Sequence, residues 1–234
     1  MNKYGIICAM ELEAEHLLLN ATVIGRETGL GMVFHDVLIC GTPCVVAVSG
    51  IGKVLAAAAA QHLIDRFSVS SVINIGVAGA LSKELCVGDI VVASRLVQHD
   101  LDTTPVGDPP GWISEIGGVD ISASSELAER ILSAANEQAL PCTLGAIATG
   151  DRFVVSPEEK ERIRKNFVGA DGASPVACEM EGAAVALVCR MNGIPCGVMR
   201  CISDGAGEAM EYERFKFYAA ERSSRVLLRM LANT

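Results

Sequence analysis

The stretch from Cys178 to Asp204, CEMEGAAVALVCRMNGIPCGVMRCISD, holds three carboxylates: Glu179, Glu181 and Asp204. A carboxyl can give a proton to a leaving group, take one from water, or place negative charge beside a developing cation. The elements around these residues are legible from the pattern. It predicts a strand end carrying Glu179 and Glu181, a small-residue helix to about Asn192, a Gly193-Ile194-Pro195 turn, and an apolar strand ending at Ser203-Asp204. Carboxylates thus arrive at the carboxyl ends of two strands, where open α/β sheets place ligand sites. Glu179 reads equally well as a cap that complements the helix dipole. Glu181 is followed by Ala183, Ala184, Val185 and Ala186, the mark of a helix packed on most sides, and a carboxylate beside such a segment needs a partner.

At 234 residues, half of them hydrophobic, the chain buries a large core and fits one α/β domain over 1–234 better than two. No apolar run is long enough to span a bilayer, and a strand begins almost at once in place of a signal peptide, so the expectation is a soluble, cytoplasmic protein without a membrane partner. A net charge of −9 argues against nucleic acid. The densest basic group, Lys160 to Lys165, alternates with glutamate on a helix and reads as a solvated face. Nine cysteines without metal-ligand spacing read as reduced, mostly buried small hydrophobes, and four histidines show no paired-ligand pattern, so no metal or organic cofactor is expected.

In chain order, Tyr4 to Ala9 reads as a buried strand and Met10 to Glu15 opens a helix. Residues 31–40 and 44–48 flank Gly41-Thr42-Pro43 as a hairpin, and the second strand enters Ser49-Gly50-Ile51-Gly52-Lys53 and a helix to about Phe67. That loop lacks the spacing of a nucleoside-triphosphate loop. A strand over Ser71–Ile75 runs into the small-residue loop Gly76-Val77-Ala78-Gly79-Ala80. A strand from Val87 leads to Gln98-His99-Asp100, and a long loop, Thr103 to Val119, follows with three prolines and the only tryptophan. Ser124 or Ser125 caps a helix to about Glu137. Leu144 to Ala148 forms a strand, Pro157 to Asn166 a charged helix, and Tyr212 to Leu228 the last helix.

Glu179-Met180-Glu181 and Arg200-Cys201-Ile202-Ser203-Asp204 resemble the EMEA and RxISD signatures of the purine nucleoside phosphorylase and hydrolase superfamily. With Ile6 to Glu13 and the Ser49 to Lys53 loop, the pattern is similar to that of the 5'-methylthioadenosine/S-adenosylhomocysteine nucleosidases, in the right order along essentially the whole chain. The resemblance implies a three-layer α/β/α fold with a central mixed, twisted sheet, a small adenine-nucleoside substrate and a homodimer. It also implies roles. Asp204 donates a proton to purine N7 while Ser203 holds its carboxyl, and Val198, Met199 and Ile202 desolvate it. Glu13, which the residues alone do not separate from Glu11 or Glu15, activates water. Glu181 accepts from the ribose hydroxyls, Met180 packs on the ribose, and Arg200 orients the water or the carboxylates. Phe153 stacks on adenine, unless it is only a core residue at a strand end, and Val154 reads the base edge by its backbone. Met10, Ile51 and Val77 complete the substrate set, Val77 standing where the family usually has serine. Tyr212 or Phe215 walls the site, though core packing accounts for either. The loop over Thr103–Val119 falls near the 5' substituent and a dimer contact. The alternative is a phosphate-dependent phosphorylase or another nucleoside hydrolase of the superfamily.

Overall fold

The computed structural model describes residues 3–205 and 209–233, with residues 209–211 by backbone alone. Its strands are β1 (Tyr4–Cys8), β2 (Ala21–Gly29), β3 (Met32–Ile39), β4 (Thr42–Val48), β5 (Ser71–Ala80), β6 (Ile90–Gln98), β7 (Ile121–Ser122), β8 (Cys142–Thr149), β9 (Ala177–Glu179) and β10 (Cys196–Asp204). Its helices are α1 (Glu11–Leu19), α2 (Lys53–Phe67), α3 (Ser125–Glu137), α4 (Pro157–Asn166), α5 (Gly182–Met191) and α6 (Ala209–Ala232).

The strands form one mixed sheet in the order β10-β6-β8-β9-β5-β1-β4-β3-β2, with β7 beside β6. Continuous apolar runs in β1, β4, β5 and β10 are buried on both faces, because helices cover both sides. One apolar cluster joins α2 and α5 to one face through Ala56, Ala60, Leu63, Ala183 and Val185. The other joins α1, α3 and α6 to the opposite face through Ala14, Leu17, Leu127, Ile131 and Val226. This is the layered mixed-sheet fold that the sequence implies.

One feature departs from an open sheet. β10 pairs with β6 on one side and with β5 on the other, so β10, β6, β8, β9 and β5 close into a ring. Within it β5 and β10 run one way and β6, β8 and β9 the other. Glu179 and Asp204 therefore end strands of opposite direction, and they meet because the ring closes, not because a parallel sheet presents one edge. A register shift between Ile202 and Asp204 sets Asp204 against Gly79, the kind of irregularity that re-aims a side chain.

Several boundaries differ from the sequence reading. The small-residue run Gly76 to Ala80 is not a loop but the second half of β5, its backbone satisfied by β10 and β9. β2 was not legible, since it is a half-exposed outer strand with no apolar alternation to mark it. Residues 103–119 carry two short 3₁₀ turns and seat Ile113 in the core, and none of them lines the pocket described below. Cys40 and Cys86 are exposed rather than buried, Cys40 in the turn after β3 and Cys86 in the loop before β6.

Candidate active site

Four buried carboxylates, Glu13, Glu179, Glu181 and Asp204, line one pocket, reaching it from α1, from the β9–α5 junction and from the end of β10. The first is Glu13, in the first turn of α1. Its carboxylate turns back to accept the backbone N–H groups of Ala9 at 2.8 Å and Met10 at 3.0 Å, and across the sheet that of Val77 at 3.1 Å. Burial raises its pKa; Arg200 and these three N–H groups oppose the rise. Gly76 makes the approach possible, because a Cβ there would stand 2.5 Å from Glu13 Oε1. Glu11 and Glu15, which the sequence left level with Glu13, line no part of this pocket.

Glu181 sits at the N-cap position of α5 and accepts the Gly52 N–H at 2.9 Å. This bond uses the glycine loop before α2 to hold a side-chain carboxylate. Burial, then the neighbouring charge of Glu179, pushes the Glu181 pKa up to about 7. Glu179 acts as a cap: its Oε2 accepts the N–H groups of Glu181 at 3.0 Å and Gly182 at 2.8 Å, and its Oε1 accepts the Thr149 hydroxyl. Both readings of Glu179 meet here, since the capping carboxylate also borders the pocket.

Arg200 lies beneath these groups, 1% exposed, on β10. Its guanidinium donates to Glu179, to the Asn74 side chain and to the backbone carbonyls of Asn74 and Met199, and stands 3.8 Å from Glu181 Oε2. It does not line the pocket. Its contacts are with carboxylates and carbonyls, so of the two roles read for it, water or carboxylates, the geometry supports the orienting of Glu179 and Glu181. Asn74 and Thr149, its companions in this network, are polar residues inside apolar strands, and nothing in their spacing set them apart.

Asp204 reaches the pocket from the end of β10. Ser203 Oγ donates to Asp204 Oδ1 at 2.9 Å, and Lys160 Nζ stands 3.7 Å from Oδ2. Gly79 leaves the space, as a Cβ there would be 2.9 Å from Oδ2. Lys160 is 3% exposed, which corrects the solvated-face reading at this residue: α4 turns Lys160 and Ile163 inward while Glu158, Glu161, Arg162 and Lys165 face out.

The pocket holds about 590 Å³, its open mouth included. Between the carboxylates it is lined by Met10, Ile51, Val77, Phe153, Val154, Met180, Ser203 and Tyr212 from the expected set, by Ala78 and Gly79 of the small-residue run, and also by Ala9, Cys178 and Arg152, to which the sequence reading gave no role. Phe153 is 52% exposed at the mouth and meets Tyr212 edge-on at 5.2 Å, so it is no core phenylalanine. Tyr212 rather than Phe215 walls the site, and its hydroxyl reaches Met10 Sδ at 3.4 Å. Lys53 is not free for an anion: it pairs with Asp100 at 2.6 Å. Among the described residues no cluster of His, Cys, Asp or Glu has the geometry of a metal site. Carboxylates among apolar and aromatic side chains can hydrogen-bond hydroxyls and move protons on a partly apolar ligand.

Comparison with known proteins agrees with this geometry. Residues 3–232 match the phosphorylase superfamily. The chain is 39% identical to an aminodeoxyfutalosine nucleosidase of Helicobacter pylori over 99% of both chains, and 36% identical to a 5'-methylthioadenosine/S-adenosylhomocysteine nucleosidase of Shewanella denitrificans over 98% of both. A crystal structure of the latter kind of nucleosidase from Neisseria meningitidis, in complex with methylthio-immucillin-A, superposes with a TM-score of 0.93 at 32% identity, covering 100% of each chain. The chain belongs to the phosphorylase superfamily and, within it, to the nucleosidases, which are N-glycosidic hydrolases.

Proposed function

We propose that this protein releases adenine from 5'-methylthioadenosine and S-adenosylhomocysteine, and from 5'-deoxyadenosine, by water attack at the anomeric carbon. The observation that carries this is the convergence of Glu13, Glu181 and Asp204 on one pocket that also has apolar walls. Asp204, held by Ser203, gives its proton to purine N7, so that the departing base leaves neutral. Phe153 and Val154 hold the base. Glu181 accepts from the ribose hydroxyls and places charge under a sugar becoming cationic, with Met180 on the sugar face. Glu13 takes the proton of the attacking water. Arg200 keeps Glu179 and Glu181 in place. Met10, Ile51, Val77 and Tyr212 form an apolar wall for the 5' substituent. Val77 offers the substrate no side-chain hydroxyl; what it contributes at this position is its backbone N–H, held on Glu13.

Hydrolysis is favoured over phosphorolysis by charge. A phosphate dianion placed beside Glu13 is repelled, and Arg152 is the only basic residue lining the pocket among the described residues. A second substrate, aminodeoxyfutalosine, has the support of the 39% identical relative. We also propose a cytoplasmic homodimer. The free cysteines fit a reducing compartment, and the exposed Ile51, Val54 and Leu55 at the start of α2 form an apolar step beside the pocket mouth. The test is adenine release, followed chromatographically, from 5'-methylthioadenosine, S-adenosylhomocysteine and aminodeoxyfutalosine, each with and without phosphate. Release from the first two in phosphate-free buffer supports the proposal. Release only from the third redirects it, and release only with phosphate overturns hydrolysis.

A further inference from the structure

The buried ammonium of Lys160 has no part in the reaction as written above. It projects from α4, is 3% exposed, donates to the Gly205 carbonyl at 2.8 Å and stands 3.7 Å from Asp204 Oδ2. Ser156 caps α4 by accepting the Glu159 N–H at 3.0 Å, and Ile163 anchors the same face in the core, so the lysine stem is delivered by a fixed helix. Burying an ammonium is costly unless a partner answers it, and both of its partners here lie at the end of β10.

We propose that Lys160 is a positioning residue of the reaction: its ammonium fixes the Asp204 carboxyl and the Gly205 carbonyl behind it, and stabilises the carboxylate that Asp204 becomes when its proton passes to the base. The inference rests on Asp204 as proton donor. As the bond from the anomeric carbon to the base breaks, its electron pair goes to the base, the Asp204 proton moves to purine N7, and the negative charge left on Asp204 develops 3.7 Å from a cation. Among the described residues, the ionisable groups that line the pocket with Asp204 are the Cys178 thiol on β9, which burial pushes up to about 12, the Tyr212 phenol on α6, the carboxylates of Glu13, Glu179 and Glu181, and Arg152. Among the described residues, Lys160 is the cation that stands within 4 Å of the Asp204 carboxyl. It makes Asp204 the stronger acid and, through Gly205, sets where the strand end points.

The sign of the effect distinguishes this role from simple packing. Asp204 works protonated, so activity falls as pH rises through its pKa, and removing a cation at this distance raises that pKa by about 1–3 units. Lys160→Met, measured by adenine release from 5'-methylthioadenosine, is expected to lower kcat at least tenfold with KM within about threefold, and to move the alkaline limb of the kcat/KM profile upward by about 1–3 pH units. Lys160→Arg, which keeps the charge, is expected to return the limb to the wild-type position. Circular dichroism and thermal melting establish folding, and Lys160→Gln carries the same test if the methionine variant does not fold. A neutral, folded variant with its alkaline limb in the wild-type position overturns the proposal, as do methionine and arginine variants shifted alike. Asp204→Asn run alongside separates the two failures: full turnover in that variant removes the proton donor itself, whereas its inactivity with an unmoved limb in Lys160→Met removes only the role of Lys160.

Discussion

Replacing Arg200 by methionine removes the cation on which two buried glutamates depend while keeping most of the side chain's length. The guanidinium contacts Glu179 and Asn74, stands 3.8 Å from Glu181, and also lowers the cost of ionising Glu13. Breaking a buried ion pair from one side costs about 3–5 kcal/mol, and at about 2–4 °C per kcal/mol for a chain of this size the melting temperature falls by about 6–20 °C. The loss must depend on pH. In the wild type the Glu181 pKa is raised to about 7, so the folded state prefers the proton and stability from this group is greatest below the ordinary glutamate pKa and declines as pH rises towards 7. Without Arg200, ionisation inside the fold is harder still for Glu181 and Glu13, and the decline continues above 7. Thermal melts of both proteins at about pH 5.5 and about pH 8.5 are expected to show the larger deficit at the higher pH. A deficit of under about 3 °C, or one equal at the two pH values, would refute the idea that Arg200 serves as counter-charge to these carboxylates.

Other outcomes follow from the same geometry. Because Glu181 must be ionised to stabilise a cationic sugar, kcat/KM is expected to fall as pH drops below about 7, and a profile flat from about pH 8 to about pH 6 would count against it. Gly76→Ala puts a Cβ 2.5 Å from Glu13 Oε1; displacing that carboxylate by a fraction of an ångström to 1 Å is expected to lower kcat about 10²-fold with a smaller change in KM. Phe153→Ala at the exposed mouth is expected to leave the melting temperature nearly unchanged while raising KM about 5- to 150-fold, the worth of one base–aromatic stack, and an unchanged KM would remove Phe153 from the base site.

Much of the site is legible in the sequence because short segments carry it whole. Glu179-Met180-Glu181 ends a strand and starts a helix within three residues, and Ser203-Asp204 ends an apolar strand, so local pattern fixes both. The glycines at 76 and 79 were visible as a close-approach signal, but what approaches was not: Glu13 comes from α1 and Asp204 from β10, far away along the chain. Arg200 reads as part of a signature, yet only the sheet shows that it faces Glu179 and Asn74 rather than solvent in the pocket. Lys160 misled for the opposite reason. On a helix rich in alternating charges one lysine looks like its neighbours, and its burial is decided by where α4 docks against the end of β10. Nor does any local pattern announce that β10 bridges β5 and β6, the closure that brings Glu179 and Asp204 into one pocket.

The most direct test of the proposed chemistry is Asp204→Asn, with binding of 5'-methylthioadenosine measured by calorimetry and adenine release by single-turnover quench. Asparagine keeps the shape and loses the transferable proton. The expected result is binding within about tenfold of wild type and a release rate reduced about 10²- to 10⁴-fold. Release within about tenfold of wild type would contradict Asp204 as proton donor to the base.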